Sequence, residues 1–227
     1  MEPKEYDNFI DWLKDNYPDK SKWKYLTHIN CYDIMPSLKG IENLTNLTYL
    51  ICMDNNISSL EGIENLTNLT YLTCMNNNIS SLDRIENLTN LKRIHCSSNN
   101  ISTLMSIKNL VNLKELYCSN NNLESLKGIE NLTNLEMLCC KYNQLTSLKE
   151  IEKLINLKYL SCSTNNIKSL KGIENLKKLE FLSCHDNNIT SLKGIENLTN
   201  LKELYCYYNN ISDIDNYNID SYSKSIV

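Results

Sequence analysis

Alanine is absent from the 227-residue chain, valine occurs only at Val111 and Val227, and arginine only at Arg84 and Arg93. Asn, Ile, Lys and Tyr fill the space, a skew that marks a low-GC genome and bears on source, not on function. No run approaches the roughly 18 apolar residues of a membrane-spanning helix, and the N-terminal MEPKEYDNFIDWLKDNY is charged throughout, without the apolar core of a signal peptide. An intracellular setting, cytoplasmic or nuclear, is therefore expected, and the recurring N-x-S/T sequons such as Asn43-Leu44-Thr45 are read as by-products of the pattern below. A net charge of −4 gives no electrostatic reason to expect nucleic acid or an anionic membrane as partner. There is no glycine-rich phosphate loop and no HExxH, and the three histidines, His28, His95 and His185, are too dispersed to assemble one site. His95 and Cys139 fall two repeats apart, which argues against a nucleophilic pair. No catalysis, cofactor or metal is expected.

What the chain does have is a period. From Leu38 to Asp213 it repeats every 22 residues, eight times, without insertion or deletion. The first unit reads LKGIENLTNLTYLICMDNNISS. Its recurring apolar positions are Leu38, Ile41, Leu44, Leu47, Leu50, Cys52 and Ile57. Their mixed spacing fits neither one amphipathic helix nor one alternating strand. A closed coil satisfies it: Leu50-Ile51-Cys52 alternates as a short strand does, while Leu38 to Leu47 steps by three, as a 3₁₀ turn does. Stacked coils then share one core that no single unit could bury. Asn55, Asn77, Asn99, Asn121, Asn143, Asn165, Asn187 and Asn209 hold one position in every unit. An amide both donates and accepts, so these residues are expected to bridge the backbones of adjacent coils as scaffold.

The stretch from Leu47 to Ile57, LxxLxCxxNxI, resembles the leucine-rich-repeat core. The 22-residue unit with its LxGIENLTNL connector is similar to the short class found in a regulatory subunit of protein phosphatase 1 and in bacterial internalins. The resemblance implies an α/β repeat solenoid: a right-handed, curved array with a parallel β-sheet on the concave face and short 3₁₀ or irregular turns on the convex face. Three parts are expected: an N-terminal helical cap and degenerate first coil over 1–37, eight repeats over 38–213, and a short tail over 214–227. The cap helix is expected over about 4–17, with Tyr6, Phe9, Ile10, Leu13 and Tyr17 on one side. In the tail only Ile214, Ile219 and Tyr222 look able to shield the last coil.

Nine of the ten cysteines share the inward strand position, from Cys31 and Cys52 to Cys206. In-register parallel strands hold such residues about 4.8 Å apart, whereas a disulfide wants Cβ atoms near 3.8 Å. A one-per-coil column does not converge on a metal either. A ladder of buried free thiols follows. Cys139 is the exception and should face outward.

With the scaffold positions fixed by packing, partner information must sit on the outward strand positions. The candidate binding residues there are Tyr49, Ile51, Met53, Tyr71 and Met75 near one end, Arg93 and Tyr117 in the middle, and Tyr159, Phe181, His185, Tyr205, Tyr207 and Tyr208 near the other. Tyrosine offers large contact area with a polar tip at low entropy cost. The convex column Glu42, Glu64, Glu86, Glu130, Glu152, Glu174 and Glu196 is read as a solvated face. The function expected is a non-enzymatic, monomeric module that binds another protein on its concave face. The alternatives are a scaffold self-assembling through an open C-terminal coil and, by resemblance alone, a phosphatase regulator.

Overall fold

In the computed structural model the described residues are 4–32, 35–213, 217 and, for the backbone, 224–226. Ten three-residue strands form one parallel sheet in chain order. They are β1 (His28–Asn30), β2 (Tyr49–Ile51), β3 (Tyr71–Thr73), β4 (Arg93–His95), β5 (Glu115–Tyr117), β6 (Met137–Cys139), β7 (Tyr159–Ser161), β8 (Phe181–Ser183), β9 (Glu203–Tyr205) and β10 (Lys224–Ile226). From β2 to β9 each residue pairs with the one 22 positions later, as Leu50 with Leu72 and Leu116 with Leu138. Unbroken spacing thus becomes unbroken register. β1 pairs with β2 at an offset of 21, as His28 with Tyr49, because the degenerate first coil is one residue short.

The central residue of each strand from β1 to β9 points into the core, where the Leu, Ile and Cys columns are almost completely buried. Full burial of a Leu or Ile side chain contributes about 1.5–3 kcal/mol. Those columns run the length of the array and supply its main cohesion. The asparagine ladder fills the other interior need. Asn77 Oδ1 accepts from the Ile57 N–H at 3.0 Å in the preceding coil, while its Nδ2 donates to Cys52 O at 2.9 Å and Cys74 O at 3.0 Å. One amide satisfies backbone groups of two coils, and the arrangement recurs along the array.

The convex side corrects one expectation. Glu42, Glu64, Glu86, Glu130, Glu174 and Glu196 are not simply solvated: each carboxylate accepts the backbone N–H two residues earlier, at 2.6–2.9 Å. The N–H belongs to a residue with positive φ, glycine in five coils and Arg84 in the sixth. In the two coils that carry Ser106 and Glu150 at that position, 3₁₀ turns over Met105–Ile107 and Lys149–Ile151 run through it, whereas the turns Ile41–Asn43 and Ile195–Asn197 of two glycine coils begin after the glycine.

The N-terminal helix α1 spans Phe9–Asn16, shorter than the expected 4–17, because Asn8 caps it by accepting the Asp11 N–H at 3.1 Å. It buries Phe9, Trp12 and Leu13 against the first coil; Tyr6, Tyr17 and Trp23 pack at its margin. At the other end Ile214, Ile219 and Tyr222 lie outside the described residues. There the expectation of an uncovered last coil meets β10, which pairs with β9 through Glu203–Lys224 and Leu204–Ser225.

Candidate functional site

Residues flanking the central Leu or Ile of each strand point away from the core, and in-register strands stack them into two rows. In the first row, Tyr49 and Tyr71 stack with centroids 4.1 Å apart and planes 13° apart, and His28 stacks on Tyr49 at 5.4 Å. Arg93 lies over the Tyr71 ring at 5.4 Å and forms an ion pair with Glu115 at 2.6 Å. Toward the far end Tyr159 and Phe181 stack at 4.3 Å and 6°, and Tyr205, in the second row, approaches Phe181 at 5.5 Å. Beyond the strand ends His185 stacks on Tyr207 at 4.4 Å, and Tyr207 meets Tyr208 edge-on at 5.1 Å. Ile51, Met53 and Met75 are half-buried beside the first cluster, and Tyr208 is 76% exposed.

The Tyr117 hydroxyl lies 3.0 Å from Glu115 Oε2 and 2.6 Å from Met137 Sδ, so Tyr71, Arg93, Glu115, Tyr117 and Met137 extend the first cluster to β6, where Met137 pairs in register with Tyr159. The electrostatics follow this packing. Burial and the bond to Glu115 push Tyr117 up to about 12. The hydrogen bond to Glu115 raises Arg93, and burial, with Arg93 second, holds His95 below the ordinary imidazole value. Burial also raises Tyr49 and Tyr159, while the bond to Glu203 raises Tyr205. These hydroxyls are therefore neutral donors near pH 7.

A depression of about 580 Å³ opens in the middle of this face. His95 and Tyr117, tilted against each other at 5.1 Å, bound one side. The small side chains of Ser97, Ser119 and Cys139 leave the space, and Ser98, Asn120, Lys141 and Tyr142 surround it. Sequence reasoning placed Tyr117 and Cys139 outward but did not assemble the lining residues into a site. The signal available was a run of small outward residues between two aromatic clusters. Cys139 is half-buried, with its Sγ 3.2 Å from Ser119 Oγ, whereas the nine ladder thiols are buried. Several of those thiols point at the carbonyl of the next strand, as Cys31 Sγ to Ile51 O at 3.2 Å. Five small outward residues, Thr73, Ser119, Ser161, Ser163 and Ser183, are buried.

A family model described as leucine rich repeats, two copies to a match, fits residues 45–87, 67–110, 111–153, 133–178 and 177–218. The chain is a leucine-rich-repeat protein. Among solved structures, this leucine-rich-repeat chain is similar to internalin C2 of Listeria monocytogenes, at 27% identity and a TM-score of 0.74 over 94% of this chain and 93% of that one. It is also similar to a functional domain of InlJ from the same species that includes a cysteine ladder, at 27% identity and 0.66, over 82% of this chain and 45% of that one. A leucine-rich-repeat protein of Leptospira interrogans is 28% identical at 0.55, over 83% and 68%. No curated protein matches the chain. Leucine-rich-repeat folds serve in general as protein-interaction modules, and no helix among the described residues is long and apolar enough to cross a membrane.

Proposed function

We propose that this leucine-rich-repeat chain is a non-enzymatic, intracellular, monomeric module that binds a partner protein on its concave face. The observation that supports the reading is the continuous outward ribbon from His28 to Tyr208. It gathers stacked tyrosines, a phenylalanine and methionines on the sheet, whereas exposed apolar side chains elsewhere, such as Val111 and Ile155, stand singly. Ring geometry narrows the partner. Rings stacked face to face turn their edges and hydroxyls to solvent, leaving few free faces for sugars or bases to stack on. Positive ring edges and phenolic donors suit the carbonyls and aromatic side chains of a polypeptide. Self-assembly through the last coil is the weaker reading, since β10 pairs with the edge of β9. No residue-level match supports a phosphatase-regulator role.

The test is comparative capture from a homologous lysate, wild type against Tyr159→Ala/Phe181→Ala/Tyr205→Ala, read by quantitative mass spectrometry. Each of these side chains projects from the sheet, so the thermal transition should persist while one partner is lost. Equal capture by both proteins would exclude this end of the face as the site.

A further inference from the structure

The central depression lies between the two aromatic clusters, and its charge is one-sided. None of the residues that line it is acidic, although the chain as a whole carries a net charge of −4. The nearby carboxylate on β5, Glu115, is already engaged on both oxygens, by Arg93 at 2.6 Å and by the Tyr117 hydroxyl at 3.0 Å. Lys141 stands exposed at the edge of the depression with its ammonium 5.9 Å from the Tyr142 ring, and among the described residues no carboxylate pairs with it.

Hydrogen-bond donors point the same way. Ser97 Oγ accepts the Ser119 N–H at 3.2 Å, and Ser98 Oγ accepts from Asn120 Nδ2 at 3.2 Å. Both hydroxyls thus spend acceptor capacity within the sheet and keep a hydrogen to give. Asn120 Nδ2 carries a second hydrogen as well. A cation and several donors around a space of about 580 Å³, without a competing carboxylate, is the complement of an anionic group. The aromatic clusters on either side set the context of that group, a carboxylate flanked by apolar side chains.

We infer that the depression bounded by Ser97, Ser98, Ser119, Asn120, Cys139 and Lys141 receives an acidic side chain of the bound partner. This rests on the reading of the concave face as the binding surface, and it deepens that reading by naming the partner's central contact. In it, Lys141 supplies the charge and the serine hydroxyls and Asn120 amide orient the carboxylate.

The probe is N-acetyl-glutamate N-methylamide, titrated into the isotope-labelled full chain and followed by NMR, beside the glutamine analogue and sodium acetate. Saturable shifts should centre on the amides of Ser97, Ser119, Cys139 and Lys141. The glutamine analogue should bind about tenfold more weakly, the ratio expected of one charge-assisted hydrogen bond. Lys141→Met, an exposed substitution, should erase that ratio. Absence of saturable shifts, equal affinity for the two analogues, or an undiminished ratio in Lys141→Met would each overturn the assignment. Acetate binding as tightly as the capped glutamate would indicate a small-anion site and also overturn it. The assay needs no partner, so its failure is separable from the capture experiment: a lost pocket with a sensitive triple variant removes this inference alone.

Discussion

The thiol ladder makes the fold sensitive to alkali in a calculable way. Cys52, Cys74, Cys96, Cys118, Cys140, Cys162 and Cys184 are buried with no water to solvate a thiolate, and burial holds all of them above the ordinary value of 9.0, Cys74 and Cys162 at about 12. A thiol whose folded value is raised favours the folded chain while both states are protonated. That advantage is whole below the unfolded value and drains away as pH rises from 9.0 toward the folded values, because only the unfolded chain then releases protons. For one such thiol the loss is about 0.4 kcal/mol at pH 9 and about 1.4 kcal/mol at pH 10. The seven together lose about 3 and about 10 kcal/mol, against a typical stability of about 5–15 kcal/mol. Urea unfolding under reducing conditions at steps from pH 7 to 10 should therefore show a midpoint nearly flat to pH 8, falling sharply above 9, with unfolding near pH 10. Cys118→Ala should be less stable at neutral pH, through a small cavity. Its alkaline slope between pH 9 and 10 should nevertheless be shallower by about 1 kcal/mol per pH unit. A midpoint unchanged between pH 8 and 10, or an unaltered slope in Cys118→Ala, would refute the argument that these thiols are held neutral by burial.

Three further outcomes follow from the backbone. Asn121→Ala strands the buried Ile101 N–H and leaves the Cys96 carbonyl with the Asn99 amide alone, at about 2–3 kcal/mol, whereas the half-buried Asn209, within reach of water, should cost about 1 kcal/mol on the same change; chemical denaturation of the two variants measures the difference. Arg84 holds φ +87°, so Arg84→Gly should raise stability by roughly 1 kcal/mol, the relief of left-handed strain less the added freedom of the unfolded chain, seen as a higher urea midpoint. A Cβ at Gly128 would lie 2.3 Å from the Leu104 carbonyl oxygen, while at Gly194 the nearest neighbour is the flexible Glu174 side chain at 3.2 Å; Gly128→Ala should therefore melt lower than Gly194→Ala by the equivalent of about 2 kcal/mol or more.

Much of this architecture was legible in the sequence because a repeat without insertions fixes both the coil and its register. Once Leu50 is placed inward, Tyr49 and Ile51 must face outward, and every unit inherits the assignment. What escaped reading depends on torsion angles or on volume. The Glu column looked solvated because its role requires positive φ two residues earlier, although the repeated Gly-Ile-Glu of residues 40–42 carried that signal. The start of α1 hinged on one cap, with Asn8 spaced three residues before Asp11. At Lys224–Ile226 the segment pairs as a strand without the apolar signature of the repeats, so periodicity had nothing to find. The central depression is a difference in side-chain size across three strands, invisible when residues are taken one column at a time.

A single separation, the roughly 4.8 Å between in-register parallel strands, explains how such different columns coexist. It is too wide for Cβ atoms to close a disulfide without distortion, so the cysteines stay as thiols. Small torsional adjustments bring flat rings from that spacing into stacking distance, as at Tyr49–Tyr71 (4.1 Å) and Tyr159–Phe181 (4.3 Å). A planar amide can also span it, accepting from one coil and donating to another, as Asn77 does. Interior and surface therefore answer to the same geometry but to different selection. A cysteine or asparagine must match its neighbours above and below or strand a buried group, whereas an outward residue need only avoid obstructing the row. Variation is thus least costly on the outward rows, and under the proposed function replacing a ring there should alter what binds long before it alters what folds.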